Sequence, residues 1–264
     1  MNTNYETLNV EKSGDFITLT VNREKSLNAL NSQVLLDLKD LLTSLNESVE
    51  TLKGMVITGA GEKAFIAGAD IVEMSDMSVD EAHDFATLGQ EVTFLFEELP
   101  FPVIACVNGF ALGGGCEMAM SADFIYATDN AVFGQPEVKL GLIPGFGGTQ
   151  RLAKLIGRNR AKEIIYTGRN VKIDEAKELG LVVKSFSSKE EMINEAFKTL
   201  EKVSKNSPLA VSISKAAMNA GNDLTNEEGL GIEAKHFADL FDSYDMKEGT
   251  KAFVEKRAPE FKGN

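Results

Sequence analysis

The sequence predicts an α/β fold: strands and helices alternate over roughly the first 185 of 264 residues, and the remainder is helical. Three observations carry this. Short apolar runs bounded by glycine or proline, such as Met55-Val-Ile-Thr58 and Val103-Ile-Ala-Cys-Val107, have the length and character of strands buried on both faces. Amphipathic stretches with helical spacing separate them. From residue 188 onward only helical periodicity remains, opened by capping signals. The expected organisation is a core over 1–187 that carries any site, and a helical region over 188–264.

Residues 5–22 alternate, with Phe16, Leu19 and Val21 among Thr18, Thr20 and Asn22. A break at Ser13-Gly14-Asp15 makes this a hairpin of two strands. A polar loop over 23–30 enters a helix capped by Asn31 or Ser32, with Val34, Leu35, Leu38, Leu41, Leu42 and Leu45 as its apolar stripe. Arg23 and Lys25 stand beside that loop, either as solvated cations or as part of a site. A strand over 55–59 turns at 60–63 into Ala64-Phe-Ile-Ala-Gly-Ala-Asp70. Small side chains there leave the backbone open, so the N–H of Ala69 either faces a ligand or belongs to an apolar turn packed on the core. Residues 71–98 are expected to be helical, with Val92, Leu95, Phe96 and Leu99 facing inward and Pro100 as the stop.

Past the central stretch 102–137, which includes two further short strands over 123–128 and 131–133, a long turn fills 141–148. Thr149 is expected to cap a helix over 150–156. Two short helices end at Gly168 and Gly180, and Leu181-Val-Val183 returns to the sheet. Ser188–Glu191 and Thr225–Glu228 fit the capping box, Ser207-Pro208 opens a helix running to Gly221, and a last helix is expected over 250–257.

Composition removes several classes of function. Lys plus Arg number 27 against 40 Asp plus Glu, a net charge of −13, which argues against non-specific nucleic-acid binding. An anionic ligand would need a local cationic patch. Two cysteines, Cys106 and Cys116, are too few for a zinc cage or a disulfide framework and suit a reducing cytoplasm. Neither His83 nor His236 has metal-ligand spacing, so no metal is expected. No apolar run approaches membrane-spanning length, and the N-terminal residues lack the features of a signal peptide. The glycine-rich turns do not match a phosphate-binding loop or a dinucleotide fingerprint, and no G-x-S-x-G is present. Cys116 at a helix start is either an activated thiolate or a small packing residue; a nucleophile would want a histidine nearby.

The stretch 102–137 organises the rest. A buried strand, the glycines Gly113-Gly114-Gly115 and the helix formers Glu117-Met-Ala-Met120 bring unsatisfied N–H groups and the positive end of a helix dipole to one point. That point suits an oxygen acquiring negative charge. Glu117 sits beside it inside an apolar run, where a glutamate is either buried at a cost or used. Glu137 follows Phe133-Gly-Gln-Pro136 in a loop, either solvated or facing the same cleft. Two carboxyls in one cleft would be pushed apart in pKa, one serving as acid and the other as base.

These motifs, together with Ile143-Pro-Gly-Phe-Gly-Gly-Thr-Gln-Arg151, resemble the crotonase (enoyl-CoA hydratase) superfamily, and the likeness runs from Val21 to Arg257. It is strongest toward short-chain enoyl-CoA hydratases of the 3-hydroxybutyryl-CoA dehydratase type, because relatives with other chemistries usually lack one or both glutamates. The resemblance implies a crotonase-like spiral of ββα units with a C-terminal helical trimerisation region, in homotrimers or in homohexamers built as dimers of trimers. It makes Ala69 and Gly114 the oxyanion-hole donors and Glu117 and Glu137 the acid/base pair. It places Lys25, Ala64, Ala67, Ala69, Asp70, Ile71, Gly114, Phe253 and Lys256 against the acyl-CoA substrate, the last-named pair of side chains from a neighbouring subunit. Glu24 departs from the pattern, since relatives often carry proline after the arginine, and it puts an anion near the expected phosphates.

The activity implied is reversible hydration of a short-chain trans-2-enoyl-CoA to a 3-hydroxyacyl-CoA. No cofactor is expected, coenzyme A being part of the substrate, and neither nucleic acid nor membrane as a partner. The alternatives are Δ3,Δ2-enoyl-CoA isomerisation, which needs one base and no bound water, and a non-catalytic coenzyme A- or RNA-binding relative. The charge of −13 and the retained glutamate pair speak against the latter.

Overall fold

A computed structural model describes residues 3–48 and 52–264. The alternating N-terminal segment forms the antiparallel hairpin β1 (Leu8–Ser13) and β2 (Phe16–Val21), turned at Gly14. Asn31 caps α1 (Ser32–Asn46) by accepting from the Val34 N–H, and the leucine stripe of that helix is buried throughout. The chain then gives one strand to each of two sheets in turn. β3 (Gly54–Gly59) is followed by β4 (Ala64–Ile66) and the helices α2 (Ile71–Met74) and α3 (Val79–Glu98). β5 (Val103–Val107) and β6 (Phe110–Leu112) lead into α4 (Gly114–Ser121). β7 (Phe124–Thr128) and β8 (Val132–Gly134) lead into α5 (Gly148–Ile156) and α6 (Arg158–Thr167). β9 (Asn170–Lys172), α7 (Ile173–Glu178) and β10 (Lys184–Phe186) complete the sheets.

The larger sheet has the order β1-β2-β3-β5-β7-β10 and the smaller β4-β6-β8-β9. Every pairing from β2 to β10 in the larger sheet is parallel. This is the spiral of ββα units: the turns β3/β4, β5/β6 and β7/β8 each lay a strand on both sheets before helix carries the chain back, while β9 closes the smaller sheet antiparallel to β8.

Period-two burial explains why the central strands read as continuous apolar runs. Met55, Ile57, Val103, Ala105 and Val107 face the main core, while Val56, Ile104, Cys106 and Tyr126 face α8 (Lys189–Val203) through Met192, Ala196 and Leu200. The helical region continues with α9 (Pro208–Gly221), α10 (Asn226–Asp239) and α11 (Tyr244–Glu255). α9 is anchored to the core by the buried Lys215, whose Nζ donates to the carbonyls of Phe96 and Phe101 and to Asp123.

Several local expectations differ from the structure. Residues 71–98 form two helices, because Ser78 and Glu81 make a complete capping box that restarts the chain. Thr149 does not cap α5; Gly147, at φ +108°, occupies that position and Thr149 lies inside the helix. Sheet pairing resumes at Lys184–Phe186 rather than 181–183, and β9 had no periodic signal in its three residues. The last helix starts at Tyr244, capped by Ser243, six residues before the expected start at 250. At Ser188 half the capping box forms: Ser188 accepts from the Glu191 N–H, while the Glu191 carboxylate takes the N–H of Ser187. Among the described residues no helix is long and apolar enough to cross a membrane.

Candidate active site

The β5–β6–α4 unit builds the first half of the site. Gly113 holds φ +48°, ψ −124°, a conformation that side-chain-bearing residues rarely adopt, and its N–H is tied to the carbonyl of Gly134 at 2.9 Å. At Gly115 a Cβ would lie 1.9 Å from the Ile66 carbonyl, so the missing side chain lets α4 press against β4. The β4–β6 pairing, Ala64 with Phe110 and Ile66 with Ala111, then runs the 67–70 turn alongside the glycine turn. That turn is held on both sides of Ala69: Leu30 donates to Gly68 O at 2.9 Å and Asp70 donates to Leu30 O at 2.8 Å. The N–H groups of Ala69 and Gly114 have no protein acceptor among the described residues.

Glu117, one turn into α4, is 1% exposed. Its Oε1 accepts from the N–H of Phe146 at 2.8 Å and of Gly148 at 2.6 Å. Burial pushes its pKa up to about 7, with repulsion from Glu137 adding to it; the two N–H donors and the Arg151 charge pull the other way. Glu137 opens the 3-10 turn Glu137–Leu140 and is half-buried. Burial likewise pushes its pKa up to about 7. Its Oε2 is buried without a partner among the described residues, and its Oε1 lies 2.8 Å from the point where a Cβ on Gly113 would stand. Two carboxyls, each poised to hold or release a proton near neutrality, therefore converge on the turn that starts α4.

Sequence reading missed Gln135. It is fully buried, and among the described residues neither Oε1 nor Nε2 has a partner at hydrogen-bonding distance. Both atoms sit 2.9 Å from the point a Cβ on Gly148 would occupy, as does Glu117 Oε1, which puts the amide beside the carboxylate. An unpaired buried amide is costly, and a polar group bound beside Glu117 would offset that cost. Its position two residues before Glu137 was the available signal.

The cationic loop divides in function. Arg23 is a structural cation: its Nη1 donates to Ala29 O at 2.6 Å and its Nη2 pairs with Asp70 at 3.1 Å, which fixes the turn around Ala69. Lys25 is exposed on the 3-10 turn Glu24–Ser26. Ala64 is buried, and its carbonyl takes the side-chain amides of Asn28 and Asn108. Ala67 donates to Leu27 O, and Ile71 is half exposed. Phe253 and Lys256 lie on the surface at the end of α11, which packs chiefly against the short turn Leu240–Asp242 rather than on the turns bearing Glu117 and Glu137. Cys116 is buried with its thiol pushed up to about 12, and Cys106 is buried with its thiol pushed up as well, so neither offers a thiolate. His83 lies on the exposed face of α3 beside Asp84.

The family model for enoyl-CoA hydratase/isomerase matches residues 11–264. The crotonyl-CoA hydratase of Syntrophomonas wolfei is 47% identical over 257 residues, covering 97% of this chain and 98% of the relative. The short-chain-enoyl-CoA hydratase of Clostridium acetobutylicum is 47% identical over 248 residues, covering 94% of each. Among solved structures, an enoyl-CoA hydratase from Bacillus anthracis superposes with a TM-score of 0.93 at 38% identity, over 98% of this chain and all of that one. Fold, motifs and likeness agree along the whole chain, which belongs to the enoyl-CoA hydratase/isomerase family.

Proposed function

We propose that the chain is a lyase that adds water reversibly across the double bond of a short-chain trans-2-enoyl-CoA such as crotonyl-CoA, giving the 3-hydroxyacyl-CoA. The observation that carries the reading is the convergence of Glu117 and Glu137, both with pKa values raised to about 7, on the helix start whose Gly114 N–H has no acceptor among the described residues. Attack of water at C3 moves charge onto the thioester oxygen. The N–H groups of Ala69 and Gly114 stabilise that oxygen, each contributing on the order of 3 kcal/mol if comparable to other oxyanion donors. Glu117, oriented by its two backbone donors, holds and deprotonates the water, and Glu137 delivers the proton to C2. The thioester itself is the electron sink, so the step calls for no metal or redox cofactor.

Coenzyme A is placed across Lys25 and the Ala64–Ile71 segment, with Phe253 and Lys256 contributed by a neighbouring subunit. In this reading the C-terminal helices build a trimer or a pair of trimers. Two exposed aromatic side chains of that region, Phe237 and Phe241, stack edge to face and support such an interface. The reaction belongs to short-chain fatty-acid and butanoate metabolism. Two free, buried cysteines suit the reducing cytoplasm as its place.

The test is product analysis with purified protein. Crotonyl-CoA should be converted to 3-hydroxybutyryl-CoA, and a 3-enoyl-CoA should be turned over far more slowly. Shifting of the 3-enoyl double bond without hydration of crotonyl-CoA would replace this reading with the isomerase.

A further inference from the structure

Arg151 ends the 143–151 motif and has no role in the scheme above. It stands on the first turn of α5 with only 13% of its side chain exposed. Its guanidinium joins two elements: Nε donates to Glu97 Oε1 of α3 at 2.6 Å, and Nη1 donates to the Phe146 carbonyl at 3.0 Å. The group lies over the Phe94 ring, 5.4 Å from its centroid. Phe146 is also one of the two residues whose N–H donates to Glu117, the other being Gly148. The peptides around Phe146 thus have a carbonyl fixed by Arg151 and an N–H fixed on the carboxylate. Gly145, Gly147 and Gly148 make the turn soft on its own, and Gly147 adopts φ +108°. Besides Arg151, two side chains of α3 brace it: Gln90 donates to Gly145 O at 2.9 Å, and Thr93 Oγ1 donates to the Phe146 carbonyl at 3.5 Å.

We propose that Arg151 is a positioning residue: it pins the 145–148 turn so that two peptide N–H groups stay on the Glu117 carboxylate, without itself touching substrate. This rests on the reading of Glu117 as the water-side carboxylate. The ionisable groups around Glu117 are Glu137 from the 3-10 turn, Arg151 from α5, the neutral neighbour Cys116 on α4, and Glu97 of α3 behind Arg151. Glu137 disfavours the ionised form of Glu117; Arg151 and the two N–H donors favour it. Loss of Arg151 removes one favourable charge and loosens both donors, so Glu117 should ionise at higher pH. A planar fork is required, because lysine keeps the charge but cannot serve Glu97 and Phe146 together.

Crotonyl-CoA hydration is measured against pH for the wild type, Arg151→Met, Arg151→Lys, Glu117→Gln and the double variant Arg151→Met with Glu117→Gln. Arg151→Met should lower kcat about tenfold or more with KM changed less than about threefold, and move the acid limb of kcat upward. Arg151→Lys should lose a similar factor in kcat with a smaller displacement of the limb. In the Glu117→Gln background, Arg151→Met should cost less than about twofold, because the group it serves is already gone. A full additional loss there, or an unmoved acid limb, overturns the proposal. Should Arg151→Met fail to fold, Arg151→Lys decides, and wild-type kcat in that variant overturns the proposal as well. Failure of the hydratase reading is distinct: the wild type would not hydrate crotonyl-CoA, or Glu117→Gln would be unimpaired.

Discussion

Glu117 stands on a regular helix, 1% exposed, with two backbone donors on one oxygen; Glu137 stands on a one-turn 3-10 segment, half-buried, its Oε2 without a partner among the described residues. Both pKa values nonetheless rise to about 7, in each case chiefly through burial. At Glu117 the cost of burial is partly offset by fixed N–H groups, which also fix the direction of the carboxylate. At Glu137 no protein donor among the described residues holds the buried Oε2, so it is available to exchange a proton. The comparison teaches that a shared pKa does not imply a shared role: an oriented carboxylate suits the gripping of water, and a less constrained one suits proton delivery.

The hardest blow to that contrast is removal of either acid. Glu117→Gln and Glu137→Gln should each lower kcat for crotonyl-CoA hydration by about 10²–10⁴-fold, the scale of positioned acid–base catalysis. Near-normal turnover in either would remove that residue from the chemistry. Filling the glycine spaces tests each half separately. Gly148→Ala would set a Cβ 2.9 Å from Glu117 Oε1 and from the Gln135 amide, and Gly113→Ala one at 2.8 Å from Glu137 Oε1. Each should cost about 10²-fold through misplacement of its carboxylate. Gly148→Ala should restrict the water side and Gly113→Ala the proton side, so the solvent isotope exchange at C2 should fall more in Gly113→Ala.

Hydration in this scheme needs one carboxyl ionised and its neighbour protonated, and the pair titrates with two apparent values around neutrality. Activity should peak near pH 7 and fall on both sides; a flat profile from pH 6 to 9 would break the assignment. The smallest effect is on stability. A carboxyl whose folded pKa lies above its unfolded one stabilises the fold fully below the unfolded value, and that contribution is lost as pH rises through the folded value. For Glu117, raised from 4.5 to about 7, the loss is complete above neutrality. Glu117→Gln should therefore be more stable than the wild type at pH 8, by up to about 3 kcal/mol, and equal to it below pH 4.5. Denaturant melts at the two pH values measure this, and equal stability at pH 8 would mean that the buried carboxylate carries no such cost.

Elements with strong periodicity were legible before any coordinates. The leucine stripe of α1, the buried runs of β3 and β5, and the strand–glycine–helix passage into Glu117 are local patterns, and local sterics and burial suffice to produce them. The start of α11 and the strand β9 were not, since a Ser243 cap and a three-residue edge pairing leave little trace in composition. Glu117 declared itself through its apolar neighbours. Glu137 did so only through resemblance, for nothing within Gly134–Glu137 says where a loop carboxylate will point.

By itself the sequence determined that there would be a helix start rich in free N–H groups, a glutamate one turn along it, and strands buried on both faces. Tertiary structure alone decided that Glu137 would reach the Gly113 turn, that Arg23 would brace Asp70 instead of meeting solvent, and that Arg151 would reach the turn that feeds Glu117. Backbone propensity acts over a few residues and is written along the chain. The approach of side chains dozens of residues apart depends on how sheets and helices pack, and that is settled only when the whole core closes.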